Sequence, residues 1–175
     1  IDLEKTAESS FDTALIQKPY FDYKNLYLIS SNKLYVLNKD LVQMKWEKQY
    51  SEGLVDIELL DANRIMVLTK QNKAICLARD TGKEIWTKQL KTQSEREGNS
   101  IFQISLNKYK QLDRSIILTF SENEIELIDN ITGNSLAIYN SEFRIDHLSN
   151  FDVLEKCVYL IENNRISKIE FKVKS

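Results

Sequence analysis

The sequence predicts an all-β fold: a β-propeller of about four blades with four antiparallel strands each, or an arc of that size from a seven- or eight-bladed ring. Three observations predict it. The stretch NKLYVLNKDLVQMKW, Asn32 to Trp46, returns without a gap as NKAICLARDTGKEIW, Asn72 to Trp86. Weaker copies run from Asn123 to Ala137 and from Asn164 onward. The interval of about 40–50 residues, holding several short strands, is the length of a propeller blade. Finally, the apolar segments are short, rich in β-branched and aromatic residues, and separated by polar turns, which favours strands over helices.

Residues 1–19 lack a sustained period and end at Pro19, the single proline. They read as an N-terminal arm whose Phe11, Leu15 and Ile16 could dock as part of an outer strand, and which could supply a closing strand. Propeller blades follow over 20–175, at about 20–50, 51–90, 101–142 and 143–175. In the first, Leu26–Ile29 and Leu34–Leu37 are strands joined by Ser30-Ser31-Asn32. After the polar turn Asn38-Lys39-Asp40, the alternation from Val42 to Trp46 predicts a half-buried strand. In the second, strands are expected at Val55–Leu60, Ile65–Thr69, Ala74–Leu77 and Glu84–Leu90. Gly82 supplies a left-handed residue to the turn Asp80-Thr81-Gly82, where Asp80 can accept bonds from nearby N–H groups.

The polar run KTQSEREGNS, 91–100, reads as a surface loop. In the third blade Thr132-Gly133 repeats Thr81-Gly82, but Ala137 stands where Trp86 stood. The fourth blade offers strands at Ile145–Leu148, Val158–Ile161 and Ile166–Val173 and lacks an outer one. The N-terminal arm is one candidate to fill it, because propellers remove free edges by closing a blade with strands from both ends. Left as an open arc, the chain would expose two blade faces, and a homodimer through those faces is one expected way to cover them.

A net charge of −2 gives no electrostatic case for nucleic acid, and the lysines are interleaved with acids as on a solvated face. No apolar run approaches the roughly 18 residues of a membrane span. The chain begins at Ile1, which suits a processed mature protein or a fragment. Cys76 and Cys157 occupy non-equivalent places in the repeat and read as buried free thiols.

No constellation points to catalysis. His147 is the single histidine, and with two isolated cysteines it gives no zinc-ligand spacing. No phosphate-binding glycine loop or nucleophile elbow is present. Asp80-Thr81-Gly82 lacks the alternating oxygen ligands of a calcium loop. The expectation is therefore no catalytic residue, no cofactor and no metal. Asp40, Trp46, Asp80, Thr81, Gly82, Trp86, Thr132 and Gly133 are structural repeat positions, with the tryptophans packing between neighbouring blades. Asn130-Ile131-Thr132 is an acceptor tripeptide, making Asn130 a candidate N-glycosylation site in an expected exposed turn.

The run DTGKEIWTKQL, Asp80 to Leu90, resembles the PQQ-type, or quinoprotein-like, propeller repeat, with Asp80, Thr81, Gly82, Ile85 and Trp86 at the matching positions. The first unit keeps Asp40 and Trp46, the third Thr132, Gly133 and Leu136. Within that class the chain is most similar to the N-terminal luminal propeller of the largest subunit of the endoplasmic reticulum membrane protein complex. The segment Glu52-Gly53-Leu54-Val55-Asp56 with Leu59-Leu60, and later Phe102-Gln103, carry that likeness. The resemblance implies a non-catalytic, protein-interaction scaffold, a luminal platform in a membrane-protein insertion complex whose partners are other protein subunits. Its loops 50–56 and 91–100 would be presented to them. The chain also resembles the bacterial envelope propeller of the outer-membrane barrel assembly machinery, which would place it in the periplasm, and the luminal domains of unfolded-protein sensors.

Overall fold

In a computed structural model of the chain, the described residues are 8, 10–15, 19–40, 42–90, 105–109, 114–120, 123–149, 152, 155 and 157–170. All regular structure among them is β. The strands are β1 (Tyr20–Phe21), β2 (Asn25–Ile29), β3 (Lys33–Asn38), β4 (Met44–Gln49), β5 (Leu54–Leu59), β6 (Arg64–Thr69), β7 (Lys73–Ala78), β8 (Glu84–Gln89), β9 (Ser105–Tyr109), β10 (Arg114–Phe120), β11 (Glu124–Asp129), β12 (Ser135–Asn140), β13 (Ile145–Leu148), β14 (Cys157–Glu162) and β15 (Arg165–Glu170). They form antiparallel meanders in the order β1-β2-β3-β4, β5-β6-β7-β8, β12-β11-β10-β9 and β13-β14-β15, the sheet type of a propeller blade. The chain divides into two compact units, Ile1–Gln89 and Leu90–Ser175.

The first unit holds two sheets. Tyr27, Ile29, Leu34 and Val36 of the first and Leu54, Ile57, Ile65, Val67, Ile75 and Leu77 of the second belong to one buried cluster. Full burial of each aliphatic side chain contributes about 1.5–3 kcal/mol. That is why the central strands β3 and β7 read as near-continuous apolar runs, with both faces covered, while the outer strands alternate. A second, smaller cluster of Leu28, Tyr35 and Leu37 lies on the opposite face of the first sheet, where Phe11 packs on it. The Phe11 and Tyr35 ring centroids are 5.0 Å apart. The Tyr35 hydroxyl donates to Asp12 Oδ1 at 2.8 Å, and Lys33 pairs with Asp12 at 3.0 Å. The arm thus covers a sheet face with Phe11, while Leu15 bridges Ser30 along the inner edge of the first sheet. The expected docking as an outer strand is corrected: the described arm serves the first sheet's face and inner edge. Ile16 lies outside the described residues. The fourth sheet has three strands among the described residues.

The repeat is also written in the backbone. The third and fourth strands of three sheets share one irregularity, at Val36/Leu37, Cys76/Leu77 and Leu127/Ile128. The turns preceding the fourth strands close with the same bond: Asn38 N to Gln43 O at 2.8 Å, Ala78 N to Lys83 O at 2.8 Å, Asp129 N to Asn134 O at 2.9 Å. Each turn carries one left-handed residue at the same place: Val42 (φ 50°), Gly82 (φ 66°) and Gly133 (φ 74°). Val42 therefore belongs to the turn, and the strand starts at Met44 rather than at Val42 as its alternation suggests. A β-branched residue with positive φ is a steric outlier. Packing of Val42 onto the Leu28–Tyr35–Leu37 cluster accompanies that strain. In the second unit, Asn163 (φ 46°) and Asn164 (φ 60°) make the two-residue hairpin between β14 and β15, the pair of left-handed positions for which asparagine is suited.

Candidate functional site

Trp46 sits on β4 and is half-buried against the main cluster. Its indole Nε1 donates to the carbonyl of Arg79 at 2.9 Å, in the turn that leads to Gly82. A Cβ placed on Gly82 would lie 2.7 Å from Trp46 Cε3. Gly82 is thus required twice, by its positive φ and by the ring lying on it. The first sheet's outer strand is thereby locked into the second sheet's last turn.

A buried polar network reinforces this joint, and sequence reading does not anticipate it. Arg79 is buried, and its guanidinium pairs with Asp22, bonds to the carbonyl of Asp61, and donates from Nε to the Tyr27 hydroxyl at 2.9 Å. The Tyr27 hydroxyl donates to Asp22 Oδ2 at 2.8 Å. Burial alone would raise the Asp22 carboxyl. The N–H groups of Lys24 and Asn25, the Tyr27 hydroxyl and the Arg79 charge outweigh burial and hold it below its ordinary range. Lys45 donates to Asn25 at 2.8 Å and lies 3.5 Å from the exposed Asp80 carboxylate. Only the position of Arg79 one residue before Asp80 could have signalled this role.

The other repeat positions stand as follows. Asn38 Oδ1 accepts from the N–H of Asp40 at 2.9 Å. Thr81 and Thr132 do the same work in their turns, each hydroxyl accepting from the N–H two residues on at 3.3 Å. Trp86 is buried on β8. Asp129 Oδ1 accepts from the N–H groups of Ile131 at 2.8 Å and Thr132 at 3.2 Å, so Asp129 is the bonding aspartate of that turn. Asn130 is completely buried, in contrast to the exposed turn position expected of a glycan acceptor. Its neighbours Ile131 and Thr132 face outward instead, because Asn130 occupies the turn position that Arg79 fills in the second sheet. The folded chain does not offer its amide for modification. Cys76 and Cys157 are free and buried. Burial pushes the Cys76 thiol up to about 12. His147 lies on β13 opposite Ile161. The loop 91–100 and Phe102-Gln103 lie outside the described residues.

A surface cleft of about 270 Å³ lies within the first unit, lined among others by Tyr50, Glu52, Lys73, Glu84 and Thr87. The connection 50–53 forms one wall. It is pinned by bonds from Tyr50 N to Asn32 O and from Leu54 N to Ser31 O, both 2.8 Å. Gly53, at φ 70°, lets that connection pass close to Ser31, whose carbonyl oxygen would be 3.1 Å from a Cβ there. Glu52 pairs with Lys73, and Glu84 lies 3.6 Å from Lys48 while accepting from the Thr87 hydroxyl at 2.6 Å. Tyr50 is 7% exposed, and its hydroxyl has no hydrogen-bond partner among the described residues. Burial, and then the Glu84 charge, push this phenol upward, so it stays protonated. An unsatisfied buried hydroxyl costs about 1–3 kcal/mol. The cleft can receive one polar or charged side chain. Among the described residues no three acidic, histidine or cysteine groups converge to hold a metal.

No protein-family model matches the chain, and no curated protein matches it in sequence. Its fold does have solved counterparts. BamB from Moraxella catarrhalis matches with a TM-score of 0.62 and 12% identity over 94% of this chain and 49% of its own. The computationally designed Ika4 protein matches with a TM-score of 0.62 and 12% identity over 97% and 99%. The C-terminal WD40 domain of Sif2 matches with a TM-score of 0.62 and 8% identity over 96% and 49%. The chain is a β-propeller fold, as its repeat predicts, and it spans about half the length of the BamB and Sif2 chains.

Proposed function

We propose that this chain is a non-catalytic protein-interaction scaffold that takes a partner's side chain into the cleft at Tyr50. The observation that carries the reading is the cleft beside the pinned connection 50–53, whose lining presents Glu52, Lys73 and Glu84. Rigid strands hold these groups in place before binding, which lowers the ordering cost of association. More specifically, the chain is a luminal propeller module of a membrane-protein insertion complex in the endoplasmic reticulum. The segment that resembles that family, Glu52 to Asp56, begins at the cleft, which Glu52 lines. A bacterial envelope propeller of the barrel assembly machinery is the second reading, favoured by the likeness to BamB.

Binding of the purified chain to each assembly, prepared without its own propeller, tests both. Retention by the insertase, lost on Glu52→Lys, is the expected result. Retention by the barrel assembly machinery alone favours the second reading. Binding to either that survives Glu52→Lys and Tyr50→Phe overturns the role of the cleft, and binding to neither overturns both assignments.

A further inference from the structure

At one end of the first sheet two turns meet. Asp22, Tyr23 and Lys24 connect β1 to β2, and the turn after β3 begins at Lys39, whose N–H donates to the carbonyl of Lys24 at 2.9 Å. This bond brings two aromatic rings and two ammonium groups to one corner. Phe21 is 66% exposed and Tyr23 69% exposed, the two most exposed aromatic side chains among the described residues. Lys24 Nζ lies 5.3 Å from the centre of the Tyr23 ring, and Lys39 Nζ lies 5.8 Å from that of Phe21. Lys33, Lys45, Lys48, Lys73 and Lys168 are within ion-pair distance of carboxylates. Among the described residues Lys24 and Lys39 pair with none. The nearby Asp22 carboxylate is turned inward to Arg79, while Asp40, beside Lys39, is exposed.

We propose that this corner docks on an anionic lipid bilayer, with the Phe21 and Tyr23 rings in the headgroup layer and Lys24 and Lys39 against the acidic headgroups. Aromatic rings settle at the membrane–water interface, where the ring leaves water and a polar tip such as the Tyr23 hydroxyl stays hydrated. Lysine lays its stem along apolar surface and keeps its charge at the rim, so each ammonium remains beside its ring as the ring enters. An ammonium without a carboxylate partner is drawn to a negative membrane surface at its full charge. A bilayer fits better than a nucleic acid: two such lysines on a chain of net charge −2 do not make the track that follows a phosphate backbone, whereas a lipid surface asks only for a protruding corner. The cleft at Tyr50 lies at the other end of β2 and β3, where the connection 50–53 is bonded to Ser31 and Asn32. One end therefore meets lipid while the other is left for a protein partner. With two lysines the contact is weak, reversible and sensitive to salt.

Flotation of the purified chain at low ionic strength, with mixed phosphatidylcholine–phosphatidylserine vesicles and with phosphatidylcholine alone, tests it. Binding to the mixed vesicles is expected, weakened at least about tenfold by Lys24→Gln together with Lys39→Gln. Phe21→Ser with Tyr23→Ser should also weaken it, and Asp40→Asn should strengthen it. Lys70→Gln, at the opposite end of the strands beside Gly53, and Tyr50→Phe in the cleft should leave it unchanged. Tyr23→Trp reads insertion directly: its emission should shift to the blue on the mixed vesicles and be quenched by lipids brominated in their tails, a readout that survives should Phe21→Ser fold poorly. No binding to the mixed vesicles, equal loss with Lys70→Gln and with the paired lysine variant, emission that vesicles leave unmoved, or binding to a single-stranded oligonucleotide in place of vesicles overturns the proposal.

Discussion

β4 and β12 occupy the same address in the repeat: each is the fourth strand of its sheet, entered through the same turn and carrying the same register shift. Their uses differ. β4 places Trp46 on the glycine of the neighbouring sheet's turn and carries charge along its edge. β12 has Ala137 at the tryptophan position, no charge, and two exposed aliphatic side chains. The same backbone therefore makes a joint in one place and an open edge in another, and the side chains alone decide which. A propeller needs the joint to be rigid, whereas an outer edge is free to acquire a binding role.

The largest expected effect lies in the joint's buried charge. Arg79→Met leaves Asp22 without its main charge partner and should cost about 3–5 kcal/mol by denaturant unfolding. Asp22→Asn should cost a similar amount by stranding Arg79. The same pair sets a pH dependence. Asp22 holds its proton less tightly folded than unfolded, so its contribution is complete above about pH 4 and fades as pH falls through the lower folded value. Melting temperatures measured from neutral to acid pH should fall more steeply for the native chain than for Asp22→Asn. Trp46→Ala should cost about 2–3 kcal/mol, less than a fully buried tryptophan because the ring is half-buried. Gly82→Ala pushes a methyl into that ring and should cost about 1–3 kcal/mol. Trp46→Ala should relieve much of that cost, so the double-mutant cycle reports direct contact. At the equivalent turn of the first sheet, Val42→Gly should stabilise by up to about 1 kcal/mol, the relief of left-handed strain exceeding the lost contact. Ile138→Lys should change stability by less than about 0.5 kcal/mol, as befits an exposed position.

Strand positions in the second sheet were legible because each central strand is a short apolar run bounded by polar turns. The third sheet was harder, since its first two strands lie in a stretch without an identifiable copy of the motif. β1 was not legible at all: two residues after a proline carry no periodicity, and only pairing with Tyr27 and Leu26 makes them a strand. Val42 misled because alternation is a statement about side chains, whereas its place is set by the backbone of a turn. The gapless alignment of Val42 with Gly82 was the available signal. The cleft was illegible because Tyr50, Glu52, Lys73 and Glu84 are brought together by two sheets rather than by spacing along the chain.

The sequence by itself determined the architecture: a repeat of about 40 residues, a period of two within strands, and turn residues at fixed offsets. These follow from local chemistry, which each copy of the motif states independently. Only the tertiary structure decided that Arg79 is buried against Asp22, that Asn130 is enclosed while its neighbours face outward, and that the Tyr50 hydroxyl lacks a hydrogen-bond partner among the described residues. Burial and pairing of polar groups depend on which other segment arrives beside them, and neighbours across a sheet interface leave no mark on the spacing of either strand.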